Sequence, residues 1–275
     1  MSHEDVDLVA SLDLSPLAYN ATKRERKQVA ALLEADERVV HVLCVTARGF
    51  GLLALTTTRA LLVTGRRFLG SRLPPRLTVR ELPYGDLAGF MVEEGRSHLD
   101  LWLVGFGRRS IRALAADAGG PPRRSRTDIV DALAEHAPVA TARMERLAPL
   151  LPAETLPAER AAVVAGLGPS EQVINALKSR AGLALLTDRR ILVVPFWRRH
   201  RRMAAIEYRV IRTVEPRSSG TPGMTTLVVA SNLDQRPIEV EFSGRGHRER
   251  AAAFDAELTR LRRLDHERRQ AESQA

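Results

Sequence analysis

The chain has only one cysteine among its 275 residues, few aromatic side chains and no long apolar run. Cys44 lies in the apolar stretch VVHVLCV, where a thiol behaves as a small hydrophobic side chain. A chain that cannot form an internal disulfide suits a reducing cytoplasm. No run of about 18 apolar residues is present, so the sequence predicts no transmembrane helix. The acidic start, MSHEDVDLVASLDLSPL, is unlike the basic start of a secretory signal.

Motifs for catalysis and metal binding are also missing from the sequence. Its seven histidines are scattered, and it contains no HxxxH, CxxC, GxSxG or complete GxGxxG pattern. The stretches GFGRRS and SGRGHRE have glycines of the kind that turns use. Cys44 is a poor candidate nucleophile, because apolar surroundings raise a thiol's pKa and limit access to it. The sequence therefore predicts no enzyme, with no catalytic residue, no metal site and no cofactor.

What the sequence has in excess is positive charge. The formal net charge is +9 and the isoelectric point is near 10.7. Only three of the 42 basic residues are lysine, which leaves 39 arginines. This balance favours anionic partners, namely a phospholipid surface, a nucleic acid or an acidic protein.

The second half of the sequence repeats the first. LLTDRRILVV at 185–194 matches ALTTTRALLV at 54–63, and matches occur in three blocks with offsets of 134, 131 and 124 residues. Because the offsets change where loops are expected, the sequence predicts an internal duplication. The matched residues include Glu37 with Glu171, Thr56 with Thr187, Arg59 with Arg190, and Tyr84 with Tyr208.

Each repeat has the pattern of a helix, seven short strands and a closing helix. The opening stretches, TKRERKQVAALLEA and LPAERAAVVAGLG, have apolar residues four apart. Seven runs rich in Val, Ile, Leu and Thr follow in each repeat. The closing helices are TDIVDALAEHA, with Thr127 as the predicted N-cap, and HRERAAAFDAELTRLRRL. The predicted class is therefore mainly β with capping helices (α+β).

This order of elements resembles the bacterial PH-like domain family, the short pleckstrin-homology-like or GRAM-like domains. The resemblance lies in LTTTRALLV and LLTDRRILVV, followed by LPYGDLAGF and IEYRVIRTV, and covers residues 25–265. The shared feature is a Thr, two further residues, an Arg and then an apolar strand. The resemblance implies two tandem PH-like seven-stranded β-barrels, each closed by a C-terminal helix. It also implies a tendency to self-associate, and hence a homo-oligomer.

The predicted domain boundaries follow from the repeat and from a proline-rich stretch between its copies, which argues for a stiff connector. They are an N-terminal tail at 1–20, a first PH-like domain at 21–137, a linker at 138–155, a second PH-like domain at 156–265 and a C-terminal tail at 266–275.

The candidate binding site is the stretch PFWRRHRRM at 195–203, between the third and fourth strands of repeat 2. Its counterpart in repeat 1, GRRFLGSRLPPR at 65–76, has a similar composition. An arginine near an anionic bilayer contributes about 1 kcal/mol, and aromatic rings prefer the headgroup level. The candidate residues for anion or membrane binding are Phe196, Trp197, Arg198, Arg199, Arg201, Arg202, Arg66, Arg67, Phe68 and Arg72.

Other interpretations of these stretches stay open. The arginines could form only a solvated face, with Phe196 continuing the in-and-out alternation of Leu192 and Val194 into the core. Nucleic acid is a second possibility, since arginine binds phosphate and Trp197 could stack on bases. A partner peptide could also dock on a sheet edge or beside the closing helix. The sequence thus predicts a non-enzymatic cytoplasmic adaptor that binds a partner protein or, peripherally, the anionic inner face of a membrane, with nucleic-acid binding as the alternative.

Overall fold

The computed structural model describes residues 23–45, 51–65, 77–95, 98–106, 110–116, 122–179, 182–195, 203–218, 221–233 and 236–274, without the side chains of residues 116, 122–125 and 218. The chain divides into two compact units, Met1–Glu145 (unit 1) and Arg146–Ala275 (unit 2). The division falls inside a helix, Pro138–Leu147, which occupies part of the stretch predicted to be a linker. The predicted domain boundaries themselves stay predictions.

Unit 1 has one antiparallel sheet, with the strands in the order β4-β3-β2-β1-β7-β6-β5. A short 3-10 turn, Tyr84–Asp86, joins β4 to β5. The elements are α1 (Lys23–Leu32), β1 (Val39–Val45), β2 (Gly51–Thr56), β3 (Arg59–Gly65), β4 (Leu77–Pro83), β5 (Leu87–Glu94), β6 (His98–Gly105), β7 (Ser110–Ala116), α2 (Pro122–His136) and α3 (Pro138–Leu147), which crosses the boundary.

Unit 2 has a four-stranded sheet in the order β11-β10-β9-β8 and a three-stranded sheet in the order β12-β13-β14. A 3-10 turn, Tyr208–Val210, joins the two sheets. Its elements are a 3-10 turn at Ala148–Leu150, α4 (Pro157–Gly166), β8 (Val173–Lys178), β9 (Gly182–Thr187), β10 (Arg190–Pro195), β11 (Ala204–Glu207), β12 (Ile211–Ser218), β13 (Met224–Ser231), β14 (Ile238–Ser243) and α5 (His247–Gln274).

Both faces of β2 pack into buried apolar clusters, which explains the unbroken apolar sequence of this strand. Every residue of β2 is buried, and so is every residue of its counterpart β9. Ile129 and Leu133 of α2 pack in the core on one face in unit 1, whereas Val29 of α1 packs in the core on the other face. A strand covered on both faces reads as a continuous apolar run, while a strand with one wet face alternates.

The prediction of two seven-stranded β-barrels was wrong, because the sheets of seven, four and three strands in the described residues are all open. In unit 1, β4 and β5 are the free edges, and β1 meets β7 only where Val45 pairs with Ala115. In unit 2, the turn Ala148–Leu150 packs beside β8. Lys178 Nζ at the end of β8 donates a hydrogen bond to the Glu154 carbonyl at 2.9 Å. A segment of the chain therefore lies beside β8, which does not pair with β14.

The expected closing helices cover sheet faces and do not close barrels. α2 begins at Pro122, before Thr127, so the predicted N-cap was wrong, and it packs against β1, β5 and β6. α5 continues to Gln274, through most of the stretch predicted to be a tail. Its apolar stripe of Phe254, Leu258 and Leu261 is buried in the core of unit 2.

Gly182 should be essential to the stability of unit 2, because β9 begins where it passes close to β10. A Cβ at this position would overlap the carbonyl oxygen of Val194 and lie 2.8 Å from the Cα of Pro195. We expect Gly182→Ala to lower the free energy of unfolding by about 1–3 kcal/mol, measured by urea denaturation. Gly85→Ala is the control, since a Cβ there meets nothing within 4 Å. Equal losses in the two variants would contradict the steric explanation.

Candidate functional site

The ten predicted binding residues lie outside the described residues, in the segments 66–76 and 196–202. The strands next to these segments are described. Gly65 of β3 pairs with Leu77 of β4, and Val193 of β10 pairs with Ala204 of β11. The two segments therefore connect neighbouring strands at equivalent places in the two units. The role of the ten side chains stays a prediction.

The matched Glu and Arg of the repeat form the same buried ion pair in each unit. Arg59 donates from Nε and Nη2 to the two carboxylate oxygens of Glu37, at 3.0 and 2.8 Å. Arg190 donates in the same way to Glu171, at 2.8 and 2.7 Å. The two carboxylate side chains are only 1% and 2% exposed. A bidentate contact of this kind fixes both partners in orientation as well as in distance.

Each arginine of these pairs also holds the end of the preceding helix. Arg59 Nη2 donates to the carbonyl of Leu32, the last residue of α1, and Arg190 Nη2 donates to that of Gly166, the last residue of α4, both at 2.8 Å. Carbonyls at the end of a helix have no partner within the helix, so an outside donor stabilises them. One guanidinium thereby joins a helix end to a strand and to a glutamate.

The matched threonines complete the cluster at the turn between the second and third strands. Thr56 Oγ1 donates to Glu37 at 2.6 Å and Thr187 Oγ1 donates to Glu171 at 2.8 Å. The same hydroxyls accept the backbone N–H groups of Arg59 and Arg190, both at 3.0 Å. A threonine three residues before the arginine is therefore needed to hold the turn and the carboxylate together.

The matched tyrosines attach the next turn to this cluster. Tyr208 Oη donates to the carbonyl of Thr187 at 2.6 Å, and Tyr84 hydrogen-bonds the backbone of Thr56. Burial raises the pKa of both phenols, so they stay protonated and remain donors at neutral pH.

Hydrogen bonding keeps both glutamates ionised despite their burial. Burial alone would raise the pKa of Glu37, but hydrogen bonds from Arg59, Thr56 and Thr58 lower it to about 2 from an ordinary 4.5. The pKa of Glu171 is also lowered, for the corresponding reasons. These groups satisfy one another, which fits a structural role and not a catalytic one.

Beside the ion pair of unit 2 lies an open cleft of about 560 Å³. The turn between β9 and β10 and the 3-10 turn Tyr208–Val210 contribute to its lining, and so do the last turns of α5. We call this feature the arginine cleft, because it is lined by Arg189, Arg190, Arg209, Arg268 and Arg269, together with three glutamates.

Three arginines of the cleft form ion pairs with acidic side chains. Arg268 and Arg269 both contact the buried carboxylate of Asp265, at 2.6 and 2.9 Å. Arg209 Nε contacts Glu207 at 2.7 Å. Two guanidiniums thus share one carboxylate at the end of α5, and Glu272 lines the cleft beside them.

The arginine cleft could not be recognised in the sequence, because its residues come from four separate parts of the chain. Arg190 was noted only as a matched residue of the repeat, and Arg268 and Arg269 fell in a predicted tail. The adjacent arginine pairs in TDRR and HERRQ were the available signal. Only the fold brings these pairs to one surface.

Comparison with known proteins gives no assignment, since no family model matches the chain and no curated protein is significantly similar to it. The resemblance to PH-like domains therefore stays a prediction. Of the helices that the structure describes, none combines the length and hydrophobicity needed to cross a membrane. The described ranges also bring together no group of three His, Cys, Asp or Glu side chains that could hold a metal ion.

Removal of the buried carboxylate should cost far more stability than removal of an exposed one on the same arginine. We expect Glu37→Gln to lower the free energy of unfolding by about 3 kcal/mol, because the Arg59 charge loses its buried partner. Glu81 also contacts Arg59, at 3.0 Å, but its side chain is 58% exposed. Glu81→Gln should therefore cost less than about 1 kcal/mol. Denaturant titration of both variants tests this, and similar losses would contradict it.

The same ion pair should make unit 1 sensitive to acid. Because the pKa of Glu37 is lowered in the folded state, its contribution is complete above the ordinary 4.5 and is lost as the pH falls towards about 2. We expect the difference in melting temperature between the parent chain and Glu37→Gln to shrink over this pH range. Calorimetry across the range measures it, and a constant difference would argue against this linkage.

Proposed function

We propose that the protein is a non-enzymatic cytoplasmic adaptor that attaches peripherally to an anionic membrane surface through the segments 66–76 and 196–202. The observation that carries the proposal is that both arginine-bearing segments connect the same pair of neighbouring strands in their units. An antiparallel pair brings the ends of each segment close together, so each segment begins and ends at the same end of its sheet. Two copies of one arrangement with the same chemistry favour a shared role.

The charge available is sufficient for reversible attachment. Segment 196–202 contains four arginines and no acid, and segment 66–76 also contains four arginines and no acid. At about 1 kcal/mol for each arginine near an anionic surface, one segment supplies roughly 4 kcal/mol. Trp197 and Phe196 add side chains that prefer the headgroup region. The net charge of +9 adds long-range attraction to the same surface.

Charge reversal in segment 196–202 tests the proposal. Arg198, Arg199, Arg201 and Arg202 are changed to Glu, and co-sedimentation with vesicles of phosphatidylcholine and phosphatidylserine is measured. We expect binding to weaken at least about a hundredfold, since four attractive charges become repulsive. Raising the salt concentration from about 0.1 M to about 1 M should weaken binding of the parent chain, because salt screens exposed charges.

A matched control distinguishes the effect of segment 196–202 from the effect of net charge alone. Arg236, Arg245, Arg248 and Arg263 are exposed in unit 2, and their change to Glu alters the net charge equally. This control should retain most of its vesicle binding. Absence of binding by the parent chain, binding that salt does not affect, or equal loss in both variants would overturn the proposal. If the parent chain shifts DNA in a gel and does not bind vesicles, the nucleic-acid alternative is favoured.

A further inference from the structure

We infer that the arginine cleft of unit 2 binds a small ligand carrying clustered phosphoryl groups. This site goes beyond the proposed membrane attachment and lies elsewhere on the sheet. Arg190, which lines the cleft, is the first residue of β10, whereas segment 196–202 follows the last residue of that strand, Pro195. The two sites can therefore be changed independently.

The comparison of the two units shows that the surroundings of the ion pair became more basic in unit 2. The core of the cluster is the same in both units, with equivalent bonds around Glu37 and Glu171. At three surrounding positions, unit 2 lacks an acid that unit 1 has, or has an arginine that unit 1 lacks. Gly168, Arg189 and Arg209 stand at the positions matched in unit 1 by Glu34, Thr58 and Gly85.

Two acids also appear in unit 2, but each has a specific partner there. Asp188 accepts the backbone N–H of Gln172 at 3.0 Å, so it holds the turn. Glu207 contacts Arg209 at 2.7 Å. α5 then adds Arg268, Arg269 and Glu272 to the same surface. Of the cleft arginines, only Arg190 belongs to the buried ion pair with Glu171. The stability of that pair therefore does not explain the presence of the other arginines.

The guanidiniums of the cleft have donors to spare. A guanidinium has five N–H donors in a planar fork that matches the oxygens of a phosphoryl group. Arg189 donates from Nη2 to Ser170 at 2.7 Å, and its Nε is 3.9 Å from the nearest oxygen of Asp188. Arg268 and Arg269 each make one hydrogen bond to Asp265. Their remaining donors can bind an anion without breaking these contacts.

The composition of the lining defines the class of ligand. The residues that line the cleft in the described part of the chain are glycine, glutamate and arginine, with five arginines against three glutamates. Neither a ring for stacking a base nor an apolar side chain for an acyl group lines it there. A volume of about 560 Å³ is in the range of small-molecule sites. A compact, highly charged oligophosphate fits these properties.

The experiment measures binding of inorganic triphosphate to the full chain by isothermal titration calorimetry. We expect saturable binding with one site per chain. In the double variant Arg268→Gln/Arg269→Gln, affinity should fall about tenfold for each guanidinium removed. Because this variant leaves the buried Asp265 without its partners, a second variant, Arg189→Gln/Arg209→Gln, removes charge from the turns that also line the cleft. It should lose a similar fraction of affinity.

Arg260→Gln is the matched control. Arg260 lies on the same helix and pairs with Glu257 at i,i+3 as Arg268 pairs with Asp265, but it does not line the cleft. It should bind triphosphate as the parent chain does. Thermal melts of every variant distinguish lost binding from lost folding.

A second measurement distinguishes a free phosphate ligand from a lipid headgroup. It compares binding to vesicles that contain phosphatidic acid with binding to vesicles that contain phosphatidylserine, at equal surface charge. Triphosphate binding that both double variants weaken supports a free phosphate ligand. Binding only to phosphatidic acid, weakened by the same two double variants, supports a lipid headgroup. No saturable binding of either probe, or equal loss in the Arg260 control, overturns the inference. The segment 196–202 variant should bind triphosphate normally, so failure of the membrane proposal leaves this test unaffected.

Discussion

The buried pairs Glu37–Arg59 and Glu171–Arg190 hold together parts of each unit that are far apart in the chain. In each unit, the arginine that begins the third strand contacts the end of the preceding helix and the glutamate before the first strand through its guanidinium. Breaking such a pair leaves an uncompensated charge with little access to water, which is strongly destabilising. The helix that covers the outer face of the sheet is thus fastened to the strands it covers.

This arrangement explains why a short motif of Thr, two residues and Arg recurs in both halves. The threonine hydroxyl and the guanidinium meet on one carboxylate, and the tyrosine of the next turn contacts the backbone of that threonine. Each group has a partner of complementary chemistry at a short distance, so a change in one affects the others. The motif therefore stabilises the fold. Functional differences between the units are expected in the residues that surround the motif.

The surroundings of the motif differ in charge between the two units. In unit 1, Arg59 has Glu34 and Glu81 as exposed acidic neighbours in addition to Glu37. In unit 2, the corresponding surface holds arginines, which the extended α5 supplements. Because exposed charges contribute little to stability, they can change with little effect on the fold. A duplicated core can in this way present two surfaces with different charged residues.

The positions of the strands were predictable from the sequence, because apolar runs and turn residues are local signals. For example, the apolar runs GLLAL at 51–55 and RILVV at 190–194 lie within β2 and β10. Closure of the sheets was not predictable, since it depends on contacts between residues far apart in the chain. The turn Ala148–Leu150 beside β8 is one such contact, and the single pairing of Val45 with Ala115 is another.

The sequence by itself determined where the strands lie, which residues of the two halves correspond, and how much positive charge the chain has. The tertiary structure alone decided that the matched Glu, Thr, Arg and Tyr form one buried cluster and that the sheets stay open. It also decided that Arg189, Arg209 and Arg268 line one cleft. The physical reason is that composition and periodicity act over a few residues, whereas ion pairs and clefts depend on distances that only the folded chain sets.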